Sequence, residues 1–253
     1  MKTADAMIHE GNWLFRHRCY LPLITLLFAF FCIWVQRSLY LTESFWYDLF
    51  CLLIAFGGES IRIIAVGYSA DRTSGRNTKQ QVADEINQTG IYSLVRHPLY
   101  IGNFFIWLGV ALFCRIWWLV VIFILVYLFY YERIILAEES FLESKFGDGY
   151  RLYADKVNAL RADFRRYVPN KYHFRVRKVI RQENSTVYAI VLVFLCLEII
   201  QELAVNGRIG LEIYWWAIGI LFTVLYLVVR TIKKTTRLLH NEPQREKIAH
   251  QEQ

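Results

Sequence analysis

Apolar residues in this chain fall in long runs, not in alternation or heptads. The runs occupy Leu21 to about Val35, about Phe45 to Val66, Ile101 to Cys114, Ile116 to Tyr131, about Thr186 to Leu203, and Ile213 to Val229. A membrane-spanning helix needs about 20 apolar residues, whereas a transmembrane barrel strand alternates over about ten. The pattern predicts an all-α integral membrane protein with about six transmembrane helices. The first run is short for a span. The residues after it, Gln36-Arg37-Ser38, do not resemble a signal-peptide cleavage site, so the run is read as retained. The third and fourth runs, 14 and 16 residues long, are separately too short for a straight crossing and jointly too long for one. With Arg115 as the only interruption, they predict a tight helical hairpin whose first helix starts nearer Pro98.

The polar segments complete the outline. Tyr68 to Thr89 reads as a loop. In the stretch Glu138 to Tyr153, Leu142 and Phe146 stand four apart, which predicts a cytoplasmic amphipathic helix leaving the membrane and stopping at Gly147. The basic, tyrosine-rich segment that follows, up to Arg181, predicts a helix lying on the membrane surface. The chain then divides into an N-terminal segment with the first span (1–43), a core (44–169), a basic linker with two C-terminal spans (170–236) and a polar tail (237–253).

Composition agrees, with 56% hydrophobic and 17% aromatic residues, against an apolar share of roughly 45–50% in soluble domains. The formal charge of +7 is read as basic cytoplasmic loops, since no aromatic-and-basic nucleic-acid motif accompanies it. Lys and Arg concentrate in the N-terminus, the 68–96 loop, the 131–185 segment and the tail. The alternate connections carry Arg37, Arg115 and Arg208, so both termini are expected in the cytoplasm. No retention or lipidation motif closes the chain, and a bacterial inner membrane is expected rather than the endoplasmic reticulum. Five cysteines and six histidines lie dispersed, without metal-ligand spacing, so no disulfide framework and no metal are expected.

Candidate chemistry centres on Gly90 to Asn103. Pro98 suits the first position of a helix, because its missing N–H is an orphan there and its φ is preset. His97 is thereby pushed to the cap, and the orphan N–H groups behind it, with Arg96 beside them, favour an anion. Tyr100 and Asn103 stand three apart on the new helix and share a face, and Gly102 permits close approach of a ligand or a second helix. The same residues also suit plain interfacial anchoring. Within the second run, Glu59 and Arg62 can pair at a spacing of three, and charges inside a span point to function; the bland alternative is snorkelling to the interface. Arg72, Arg76 and Lys79, around Gly75, can form an anion-binding concavity or simply a solvated loop.

Arg96-His97-Pro98-x-Tyr100-x-Gly102, an apolar hairpin, Glu138-Glu139-x-x-Leu142 and Phe146-Gly147-x-x-Tyr150-x-x-Tyr153 together resemble the isoprenylcysteine carboxyl methyltransferase and phospholipid methyltransferase family. Members are integral membrane enzymes that use S-adenosylmethionine. The resemblance covers roughly residues 88 to 157, under a third of the chain. It implies Arg96, His97 and Glu139 as catalytic residues, and His97, Pro98, Tyr100, Glu138 and Glu139, with Gly102 and Asn103 on the same helix, as the cofactor-binding set. Glu59, Arg62 and Arg76 are the candidates for the acceptor. The implied reaction is methylation of a lipid or lipidated acceptor, on a carboxylate or phosphate oxygen; N-methylation of an aminolipid headgroup is the alternative. From another class, a transporter or structural membrane protein would use Glu59, Arg62 and Glu198 as a polar path, although no internal repeat supports one. The chain departs from the family after Val157, where a long basic stretch precedes Pro169, and its last two spans have no counterpart.

Overall fold

The computed structural model describes residues 2–18, 20–36, 44–71, 73, 81–236 and 238–239. Cys19, Arg37, Arg72, Arg76, Lys79 and nearly all of the tail lie outside the described residues. Helices form in all six apolar regions: α2 (Leu21–Val35), α3 (Phe45–Tyr68), α5 (Pro98–Phe113), α6 (Trp117–Phe146), α8 (Val176–Asn206) and α9 (Ile213–Thr235). Four of them, α3, α6, α8 and α9, are long and apolar enough to cross a membrane. The expected six spans thus become four full-length helices and two short ones, α2 of 15 residues and α5 of 16.

Three further elements differ from the sequence reading. Residues Lys2–His17 form a helix, α1, that the apolar runs did not announce. It crosses α6 at Gly11, where any side chain would collide with the Arg133 carbonyl. The fourth run and the Glu138 helix are one continuous helix, α6, of 30 residues. At 1.5 Å per residue it is about 45 Å long, so its last turns extend past a hydrocarbon layer of about 30 Å and carry Glu138 and Glu139 with them. Finally, Asp155 to Arg175 is not a surface helix. It begins with a turn at Asp155 and Lys156 and, apart from one 3₁₀ turn at Phe164–Arg166, continues as non-helical backbone, and α8 begins directly after it at Val176.

The hairpin forms as expected. Arg115 sits between α5 and α6 with φ of 55°, and its guanidinium meets Asp48 at 2.6 Å. Next to this turn α2, α3, α5, α8 and α9 bury a common core around Ile33, Cys51, Ala55, Val110, Phe113, Phe194, Leu197 and Trp215. Phe113 lies between Phe194 and Trp215, with ring centres 4.9 and 5.7 Å away. At the opposite end of α5, α6 closes on Gly147 and passes into a short helix, α7 (Asp148–Ala154), tied to α4 (Ile91–Leu94) by the Tyr153 hydroxyl, which donates to the Tyr92 carbonyl. Tyr150, Tyr153 and Val157 pack there with Ile86, Leu142 and Phe146.

Candidate active site

This segment after α7 is fastened across the start of α5 by backbone bonds. Arg96 N–H donates to the Asn158 carbonyl at 3.0 Å and His97 N–H to that of Ala159 at 3.1 Å. Asp163 N–H reaches the Leu94 carbonyl at 3.0 Å, and Gly90 N–H reaches that of Val168 at 2.8 Å. This strap fixes the Arg96-His97-Pro98 lip, and α5 starts at Pro98 as its φ preference requires.

Held in this way, Arg96 and His97 converge on the acidic pair of α6. Arg96 Nε and Nη2 lie 2.9 and 2.7 Å from Glu139 Oε1. Its Nη1 donates to the carbonyls of Ala154 and Val157, both at 2.6 Å. His97 Nε2 is 3.1 Å from the same Glu139 oxygen, and Nδ1 is 3.6 Å from Glu138 Oε2. Tyr100 donates its hydroxyl to that Glu138 oxygen at 2.6 Å, with its ring stacked on His97. One arginine, one histidine, one tyrosine and two carboxylates from segments about forty residues apart therefore share a single polar network.

A second network begins one turn further along α5. Asn103 Oδ1 accepts from Arg62 Nη1 at 2.7 Å, and its Nδ2 donates to the Tyr131 hydroxyl at 3.2 Å. Arginine has only donors, so it sets the orientation of the amide. Arg62 also reaches Glu183 on α8 through Nη2 at 2.8 Å and faces Glu59 through Nε at 3.4 Å. Glu59 is buried, at 1% exposure, so the pair does not snorkel to an interface. Tyr131 stacks on Tyr127, whose hydroxyl donates to the Tyr100 carbonyl at 2.6 Å and so joins the two networks. The space above Gly102 is filled by Gly58 and the Arg62 stem, which makes it the crossing point of α3 and α5.

Of the sequence-predicted residues, Arg96, His97, Tyr100, Glu138 and Glu139 meet directly, Asn103 and Arg62 meet one turn away, and Glu59 backs Arg62. Arg76 is outside the described residues. Glu198 lies instead towards the hairpin end, on the α8 face whose Gln201 donates to the Phe113 carbonyl at 3.0 Å. Sequence reasoning missed Glu183, Tyr127, Tyr131 and Tyr92. Tyr127 and Tyr131 lie in an apolar run and Glu183 in a polar stretch before one, where nothing local marks them. Tyr92 belongs to the opening stretch, and its buried hydroxyl has no hydrogen-bond partner although it is within electrostatic reach of Glu138 and Arg62. Burial holds the phenols of Tyr92, Tyr150 and Tyr153 well above their ordinary ionisation range, so they remain protonated donors.

Comparison with known proteins bears on the same segment. Residues 48–149 match the family model described as phospholipid methyltransferase. The match covers under half of the chain, and the likeness to phospholipid methyltransferases rests on that segment. Within this family match lie the Arg96 lip, the α5–α6 hairpin and both glutamates. The chain is also similar to the protein-S-isoprenylcysteine O-methyltransferase of Schizosaccharomyces pombe, with 44% identity over 69 residues. That similarity covers 27% of this chain and 29% of the relative, so the chain spans under a third of the curated relative's length. No solved structure matches.

Proposed function

We propose that this protein transfers a methyl group from S-adenosylmethionine to an oxygen acceptor, a carboxylate or phosphate, on a membrane lipid or lipidated molecule. The observation that carries the reading is the convergence of Arg96, His97 and Tyr100 on Glu138 and Glu139 at the start of α5. The chemistry of this set suits the cofactor. A helix start with an arginine accommodates a carboxylate, and glutamates accommodate an ammonium and ribose hydroxyls. The Tyr92 hydroxyl, buried and without a partner, is a polar group that a bound molecule would satisfy. Bound there, the cofactor would supply an electrophilic methyl on a sulfonium.

The chain's own part is then to position and to exclude water. Arg96 clamps Glu139 while anchoring the segment that closes the lip, so one residue sets both the acid and its cover. His97, pinned between the glutamates, and Tyr100, bonded to Glu138, hold the pair in register with α5. An anionic oxygen acceptor needs no proton removed, and near-attack positioning supplies most of the acceleration. The Schizosaccharomyces pombe relative is an O-methyltransferase, which supports an oxygen acceptor. The basic residues outside the described segments, Arg72, Arg76 and Lys79, are proposed to meet an anionic headgroup, with both termini on the cytoplasmic side of a bacterial inner membrane.

The experiment is transfer of labelled methyl from S-adenosylmethionine into a total lipid extract by purified protein in detergent, beside His97→Ala. Label in a lipid with the wild type alone, released by alkali, is the expected result. Alkali-stable label recovered as a methylated amine after acid hydrolysis overturns the oxygen acceptor, and a wild type that neither transfers methyl nor binds the cofactor overturns the enzyme.

A further inference from the structure

Glu183 comes from α8, outside the residues that match the family, yet it is 2% exposed and bonded to a residue that touches Asn103. Both terminal nitrogens of the Arg62 fork are hydrogen-bonded, Nη1 to Asn103 and Nη2 to Glu183, while Nε faces Glu59 at 3.4 Å without a hydrogen bond. A guanidinium is planar and rigid, so fixing one edge fixes the others. Two carboxylates share this one cation, and buried ion pairs contribute little to stability on balance, whereas charges kept inside a helix bundle in lipid mark function. Without the charge at Glu183, the guanidinium has Glu59 as its one carboxylate and turns towards it. Asn103 then loses its donor, and its amide is no longer held towards Tyr131.

We propose that Glu183 is a positioning residue of the methyl-transfer site, acting through Arg62 to set the Asn103 amide. The proposal rests on the function proposed above, and it gives the unmatched C-terminal helix a role in the site.

The test is a double-mutant cycle on the full chain in detergent, read as the dissociation constant of S-adenosylmethionine by calorimetry, with thermal unfolding alongside. Glu183→Gln is expected to weaken binding about tenfold, as loss of a hydrogen bond to a charged group does. In an Asn103→Ala background, where there is no amide to set, the same substitution should change binding less than about twofold. Glu183→Asp, which keeps the charge, should recover part of the loss. If Glu183→Gln does not fold, Arg62→Lys replaces it in the cycle, since lysine keeps the charge and loses the fork. Wild-type affinity in Glu183→Gln, or effects that multiply independently across the cycle, overturn the positioning role and leave the methyltransferase reading intact. A wild type that binds no S-adenosylmethionine overturns both.

Discussion

Gly57 and Gly58 are adjacent on α3, and replacing each with alanine gives opposite outcomes. Gly57 faces outward, and a β-carbon there meets nothing within 4 Å. At Gly58 the β-carbon would stand 2.8 Å from the Ile106 nitrogen and 2.9 Å from the Phe105 β-carbon, and nearer still to the Gly102 carbonyl. Ordinary contact begins near 3.4 Å, so α3 and α5 must part by at least 0.6 Å, the difference between 3.4 and 2.8 Å. The colliding atoms are mostly backbone and cannot rotate away. A parting of that size or more stretches the Arg62–Asn103 bond from 2.7 Å to about 3.3 Å or beyond, at the limit of a useful hydrogen bond. Both substitutions share the gain of about 1 kcal/mol from alanine over glycine in a helix, which cancels in the comparison. What remains is overpacking, about 1–3 kcal/mol against Gly58→Ala. Equilibrium unfolding in mixed micelles measures the gap, and S-adenosylmethionine binding should weaken only in Gly58→Ala. Equal stability of the two variants, or a more stable Gly58→Ala, would refute the close crossing.

Arg96→Lys keeps the charge but cannot bridge Glu139 and two carbonyls at once; a loss of about 3 kcal/mol in unfolding free energy is expected, with cofactor binding abolished in the same preparation. Tyr153→Phe removes the buried hydroxyl that donates to the Tyr92 carbonyl at 2.7 Å. It should cost about 1–2 kcal/mol in the same unfolding assay, with wild-type affinity retained.

Local rules made much of this molecule legible. The apolar runs mark each long helix, Pro98 marks the start of α5, and Gly147, at φ of 55°, ends α6. The pairing of Glu59 with Arg62 follows from a spacing of three on one helix. The illegible parts depend on contacts between distant segments. Glu183 lies 121 residues from Arg62 in sequence, in a polar stretch just ahead of the apolar run of its helix. The basic composition of Asp155 to Arg175 suggests a surface helix, but its amides and carbonyls are taken by the lip, and pairing with another segment overrides local propensity. Helix α8 starts ten residues before its apolar run for a related reason. Val176 to Ser185 is too polar to read as part of a span, yet Lys178 is buried against the Ser69 and Ala70 carbonyls at the end of α3, at 2.9 and 3.2 Å.

The strap grips the lip chiefly with peptide groups: four amide-to-carbonyl bonds along Gly90 to His97, joined by the Ser93 hydroxyl. Peptide groups are the same whatever residue carries them. Leu160, Arg161, Phe164 and Arg165 can therefore be exchanged wholesale, subject to proline at the bonded positions, without releasing Arg96 or His97. Here the chain separates what must stay constant from what can drift, which leaves the outer surface of the strap open to redesign while the lip keeps its shape.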